Sequence, residues 1–369
     1  MRTLGLKNFI TITCAVFFFA CKNDLNINAP YKEVPSIYAV LNPQDPIQMI
    51  RINKVFLGEG NANEMAQISD SINYQEGDLT VTLERFVNGI KVAATPTGNK
   101  QVITFRDSII QTNPGAFNTT QRVYVTSDRL FVKGQYVLKV KNNKTSNLFT
   151  AKANAIDSIK PSGFTPFTPP YYPVAAGANP NDPNIYPDYS VQNLTYSPKF
   201  FPNEGSIYTM TLRFHFFDSL FTGNKEYKFV DYNFGNLYIK DVRTFGSNKM
   251  LAFDFKSTDL FSSLGYSLSK MGLSNDIRGR KMYKMQAIVY TSTQDYIDFL
   301  QFSAPSLSIA QEKPIYSNFE NRAAMGIFTF RTRHSIFKEM ASTFISQFSF
   351  SPKTCMYKFY TSQLVLQGC

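Results

Sequence analysis

"LTVTLERFVNGIKVAA", Leu79–Ala94, decides the fold class. Two runs rich in Val, Leu, Ile and Phe flank Asn88-Gly89. That dipeptide favours a type I′ turn, because both central residues of the turn need positive φ. The stretch therefore predicts a β-hairpin. Its neighbours have the same texture: "SIYAVLNP" is apolar and β-prone, and "DPIQMIRINKVFLG" alternates through Ile47, Met49, Arg51 and Asn53. "QRVYVTS", "GQYVLKVKN" and "NLFTAKANAI" follow. Short strands at regular spacing with polar turns predict an immunoglobulin-like β-sandwich over residues 36–159. The polar insert at 57–78 is expected to hold one helical turn around Ala62 to Gln67.

Between 160 and 204 the composition changes to Pro, Gly, Asn and aromatics. Proline excludes both helix interiors and central strands, so this range reads as a linker or long surface loop. Within it, "PFTPPYYP", Pro166–Pro173, has two readings. One is a linker lying against the core. The other is a contact patch for a partner or ligand, centred on Phe167, Tyr171 and Tyr172. From Gly205 the β pattern returns. "SIYTMTLRFHFFDS" sets Ile207, Thr209, Thr211 and Arg213 against Tyr208, Met210, Leu212 and Phe214. "STDLFSSLG" reads as a short helix ending before Gly265. "TSTQDYIDFLQF" reads as a helix with Ser292 and Asp295 in a capping-box-like start and Tyr296, Phe299 and Leu300 on one face. A further short helix is expected in "HSIFKEMAS", and a strand-like tail from "KTCMYKFY" to Cys369. Residues 205–369 thus predict a β-rich domain with a few short helices, and the chain as a whole is mainly β.

The N-terminus carries an address. Arg2 and Lys7 precede an apolar run from Phe9 to Phe19, and Ala20-Cys21 ends it. A basic start, apolar middle and small residue before a cut describe a secretory signal over residues 1–20. The rival, a transmembrane anchor, needs about 20 apolar residues, roughly twice what is present. Ala20-Cys21 resembles the lipobox of bacterial lipoproteins, which implies acylation of Cys21 after cleavage before it. Lys22-Asn23-Asp24 resembles, in part, the short signal that exports such proteins to the outer face of the outer membrane. Residues 21–35 then read as a polar tether. Three acyl chains exceed the two signals that stable anchoring takes.

Composition narrows the partners. Removing residues 1–20 takes away Arg2 and Lys7 and no acid, leaving 36 basic against 27 acidic residues, or +9. The charges are scattered, which fits an anionic membrane surface or acidic partner at least as well as nucleic acid, and an exported chain rarely meets the latter. Trp is absent while Phe numbers 34 and Tyr 21, so sugar stacking would fall to Tyr or Phe. Of the four cysteines, Cys14 leaves with the signal and Cys21 takes lipid. Cys355 and Cys369 remain, and in an oxidising compartment they are expected to pair. Closing so short a loop stabilises by about 3 kcal/mol.

Catalytic patterns are scarce. The chain has two histidines, His215 in an alternating strand and His334 in "RTRHS", with no G-x-S-x-G and no H-E-x-x-H. No Cys/His grouping suits zinc. "ANPNDPN", Ala178–Asn184, is dense in oxygen ligands but lacks the spacing of a calcium loop. Arg331 and Arg333 would share one strand face, able to meet an anion or water. Carboxylate pairs are left as the enzymatic option, with nothing in their spacing to select one. The expectation is a chain without catalytic residues, metal or cofactor.

The order of elements adds a resemblance. A lipobox precedes "SIYAVLNPQDPIQMIRINKVF", the strand pair "LTVTLERFVNG" and "GQYVLKVKNNKTSNLFTAKANAI". Later come "TSTQDYIDFLQF" and "PIYSNFENRAAMGIFTF". This order resembles a group of Bacteroidota outer-membrane lipoproteins of no assigned function, whose genes often sit beside those for TonB-dependent receptors. The resemblance implies a lipid-anchored, cell-surface protein. It implies a role as accessory binding or partner subunit of an outer-membrane β-barrel complex such as a TonB-dependent transporter. Independent capture of glycans or peptides, and a carboxylate-dependent hydrolase, are the alternatives.

Overall fold

The hairpin forms as its turn chemistry requires. In the computed structural model, Asn88 (φ 50°) and Gly89 (φ 79°) join β3 (Leu79–Val87) to β4 (Ile90–Val92). The structure describes residues 33–55, 62–98, 100–115, 118–159, 195–304, 315–340, 344–345, 348–349, 351 and 353–360. The chain is mainly β, with twelve strands in one mixed sheet, eleven of them along a single path and β4 paired beside β3.

The first half is a sandwich. One layer holds β1 (Pro35–Leu41), β2 (Gln48–Lys54), the second half of β5 (Val102–Gln111) and β6 (Thr120–Thr126). The other holds β3 with β4, the first half of β5, β7 (Gln135–Asn142) and β8 (Leu148–Asn154). Strand β5 passes between layers: Val102–Phe105 face β3, and Arg106–Gln111 face β6. Alternate residues from both layers meet inside, among them Ile37, Ile50, Val81, Leu83, Ile103, Leu138 and Phe149. The helical turn expected in the insert is present as α1 (Ala62–Met65), and α2 (Ser69–Ile72) follows.

The second half is built on β11 (Ile207–Leu220) and β12 (Lys225–Tyr238). The two-residue strands β9 (Thr195–Tyr196) and β10 (Lys199–Phe200) precede them. β13 (Arg243–Phe245), β14 (Asn248–Ala252) and β15 (Phe255–Lys256) follow, in small side sheets. Helix α3 (Ser257–Met271), β16 (Ile277–Ser292), α4 (Gln294–Ser303) and β17 (Met325–Glu339) complete it. Antiparallel β12-β11-β16-β17 form a four-stranded layer. Its inner face, including Tyr208, Met210, Leu212, Phe214 and Phe216, packs on α3 through Leu260, Phe261, Leu264 and Leu268. The alternation read in 206–219 is the alternation observed.

Strand β17 joins the halves. Met325–Phe330 pair in parallel with Ser36–Leu41 of β1, and Arg331–Glu339 pair antiparallel with β16. The range 36–159 therefore lacks one strand of its own sandwich, which arrives from nearly 300 residues later. Gly326 marks the entry. Its φ is +105°, and a Cβ there would lie 2.1 Å from the Ile37 carbonyl oxygen.

Four local expectations are corrected. Helix α3 runs on through Gly265, which is buried inside it, where a Cβ would lie 2.4 Å from the Lys353 carbonyl oxygen; the helix stops at Gly272 (φ 71°). Close packing, not termination, explains that glycine. "HSIFKEMAS" is strand to Glu339, because pairing with β16 and packing of Ile336 against the core outweigh local helix preference. The tail near Cys355 is a 3-10 turn, Cys355–Tyr357, followed by left-handed Lys358 (φ 60°) and one bridge from Phe359 to Arg280. Helix α4 is present, but its N-cap is Thr293, whose hydroxyl bonds that of Thr329 and does not cap the helix; Ile297 is its buried residue and Leu300 is exposed.

Candidate functional site: an aromatic and basic sheet face

The outer face of the four-stranded layer has the chemistry of a contact surface. Along β11 it presents Thr209, Thr211, Arg213, His215 and Phe217, since the inner set fills the core. Cross-strand register adds Tyr227 and Phe229 from β12, Lys284 and Tyr290 from β16, and Arg333 and Phe337 from β17. His215 is the centre. Its ring lies 5.8 Å from Tyr227, 5.9 Å from Tyr283 and 5.8 Å from Phe337. Phe217 stacks on Tyr283 at 5.0 Å. Tyr227, Phe229 and Phe337 are 48%, 40% and 51% exposed, so one ring cluster spans four strands and faces solvent.

Cations sit on these rings. Lys284 Nζ lies 4.3 Å from the Phe337 ring centre, and the Arg213 guanidinium lies 3.9 Å from that of Phe229. Arg213 is neutralised by a two-pronged pair with Asp231, at 2.8 and 2.9 Å. His215 Nδ1 bonds the Tyr227 hydroxyl. Burial lowers the His215 pKa; a bond with Gln286 opposes this, and the charges of Lys284 and Arg213 push it lower again. The imidazole is therefore neutral near pH 7.

A second aromatic group adjoins the face where β17 crosses between the halves. The Arg331 guanidinium lies 4.0 Å from the Tyr290 ring and 5.2 Å from Tyr296. Phe299 lies 5.8 Å from Tyr38 and 5.9 Å from Tyr316. The Tyr316 hydroxyl donates to Asp295 at 3.1 Å. Burial lifts the Asp295 carboxyl above its ordinary value; the Tyr316 bond opposes this and the Asp298 charge adds to it.

Two clefts lie elsewhere. One of about 410 Å³ is lined by Phe234, Asp241, Arg243 and Asp254, and one of about 520 Å³ by Asn88, Lys133, Asn154 and Glu204. Arg243 grips Asp254 at 2.7 and 3.1 Å and holds its carboxyl below the ordinary Asp value, the reverse of what a general acid needs. Asp241 accepts the Tyr238 amide at 2.7 Å, a structural role.

Of the residues expected from sequence to carry function, Cys21, Phe167, Tyr171, Tyr172 and Cys369 lie outside the described residues, as does 178–184. Cys355 is buried and disulfide-bonded, with its partner outside the described residues. His334 is half-buried on β17, and burial lowers its pKa. Arg331 and Arg333 share the outer face, as expected. Among the described residues, no group of three or more His, Cys, Asp and Glu could hold a metal ion, and no helix is long and apolar enough to cross a membrane. The ring cluster had a signal in the sequence: "KEYKFVDYNF" places Tyr227 and Phe229 where an outward face would ordinarily be polar. No family model and no curated protein matches this chain.

Proposed function

We propose that this chain is an outer-membrane lipoprotein, acylated at Cys21 and facing the cell surface, that serves as a non-catalytic partner subunit of an outer-membrane β-barrel complex such as a TonB-dependent transporter. The observation that carries the proposal is the N-terminal sequence, a short apolar signal closed by Ala20-Cys21 and followed by a polar tether. The resemblance to Bacteroidota lipoproteins encoded beside TonB-dependent receptors supports the choice of partner. The root of the tether is consistent with it. Glu33 accepts hydrogen bonds from Thr145 at 2.8 Å, Asn147 at 2.7 Å, Tyr74 at 3.1 Å and Asn142. Burial alone would raise that carboxyl, but these bonds outweigh it and hold the pKa below the ordinary Glu value. Chain leaving the tether is thus fastened at one end of the sandwich. Pairing of Cys355 with Cys369 belongs to the same proposal, since an exported chain folds under oxidising conditions.

A tagged chain extracted from its native outer membrane in mild detergent should carry a β-barrel protein at near-equal amount. A chain recovered alone overturns the proposal. Independent capture of a glycan or peptide is the second reading, favoured by the cleft where Phe234 adjoins Asp241, Arg243 and Asp254.

A further inference from the structure

We propose that the outer face of the β12-β11-β16-β17 layer, at the end farthest from Glu33, docks an acidic segment of the partner protein. The proposal rests on the partner-subunit reading above and assigns the surface and the chemistry that meet there.

Three observations converge on it. The first is apolar exposure. Isolated exposed apolar residues are ordinary, but contiguous ones mark contact sites. Here Tyr227, Phe229 and Phe337 expose 40% or more of their surface within one cluster, bridged by His215, Phe217 and Tyr283. Aromatic residues and Arg are the types that dominate binding energy in protein interfaces.

The second is charge. Cross-strand register puts Arg213, Lys281, Lys284 and Arg333 on this face, against Asp231 and Glu339. Asp231 is consumed by Arg213. Among the described residues, Lys281, Lys284 and Arg333 have no carboxylate within ion-pair distance. The face therefore has uncompensated positive charge next to open rings. An acidic segment with interspersed apolar residues complements both features, and steering by such a field speeds encounter.

The third is position. Strand β17 starts beside Ser36, three residues after Glu33, and continues past β1 to pair with β16. Phe337 lies twelve residues beyond Met325, about 40 Å at about 3.3 Å per residue. The ring cluster therefore lies toward the far end of β17 from the strand's start beside the root of the tether. An anionic lipid headgroup would meet the tether end. A protein reaching outward from the membrane would meet the ring cluster, and this selects protein over lipid.

The test uses the full chain in its native outer membrane. A photoreactive benzophenone residue is placed at Phe337 in one variant and at exposed Ile109, on the sandwich, in another. Light should join Phe337 to the co-purifying barrel, at a peptide rich in Asp and Glu, and leave Ile109 without that adduct. A double charge reversal, Lys284→Glu with Arg333→Glu, should lower barrel recovery tenfold or more while thermal unfolding stays as in the wild type. Adducts to lipid or to a second copy of this chain overturn the proposal, as does equal labelling from Ile109. If the wild type brings down a barrel but Phe337 labels nothing on it, the docking face is wrong and the partner reading stands. If the wild type brings down no barrel, the partner reading fails and this proposal falls with it.

Discussion

His215 shows how one residue serves fold and surface together. Its backbone continues β11, its ring gathers Tyr227, Tyr283 and Phe337, and its burial keeps the imidazole neutral. The unfolded imidazole titrates near 6.5, and the folded one lower. Between those values the unfolded chain binds more protons, so stability falls as pH drops below about 6.5. His334, also lowered by burial, acts in the same direction. Carboxylates held low, such as Glu33 and Asp254, lose their contribution only at more acidic pH. Urea midpoints compared at about pH 7.5 and 5.5 should therefore drop in the wild type and drop less in His215→Gln. An unchanged drop in the variant would show that His215 does not titrate between these states. Such a residue is hard to read from sequence. An alternating strand predicts which side His215 takes, but the rings that bury it come from three other strands.

Elements were more legible when their pairing was local. The β3–β4 hairpin is set by Asn88-Gly89, two residues whose turn preference acts without the rest of the chain. Buried tyrosines fasten strands to the loops just before them in the same manner in both halves. The Tyr136 hydroxyl accepts the Phe131 amide at 2.8 Å, and that of Tyr208 accepts the Asn203 amide at 3.0 Å. The second half of strand β17 is illegible locally because its pairing partners are distant, and helix preference in "HSIFKEMAS" is weaker than a ladder with β16. The stretch "SNFENRAAMGIFTF" has a local explanation. Asn318 brackets Phe328 by accepting its amide at 2.9 Å and donating to its carbonyl at 2.7 Å. Asn321 and Arg322 adopt φ 55° and 49°, turning the chain into β17. Gly326 then passes the Ile37 carbonyl, where no side chain fits. Gly326→Ala should destabilise by more than about 2 kcal/mol, from positive-φ strain and backbone collision together. A urea-unfolding loss below about 1 kcal/mol would mean that β17 enters the sandwich differently.

At the scale of the whole molecule, two apolar cores share one sheet path, and β17 spans both. Sequence periodicity identified the sandwich and the β-rich second half. It did not show that the second half lends a strand to the first, because parallel pairing of β1 with β17 leaves no turn signal. The outer ring cluster escaped for a similar reason: its members lie on four strands, and only the assembled layer makes them neighbours. Glu33 lies close to the start of β17, and the ring cluster lies toward the other end of that strand. The most direct test is native mass spectrometry of the complex released from the native outer membrane. The account predicts one copy of this chain bound to one β-barrel protein, with the chain beginning at Cys21 and carrying the added mass of its acyl groups. A lone chain, or one that retains residues 1–20 without lipid, would contradict it.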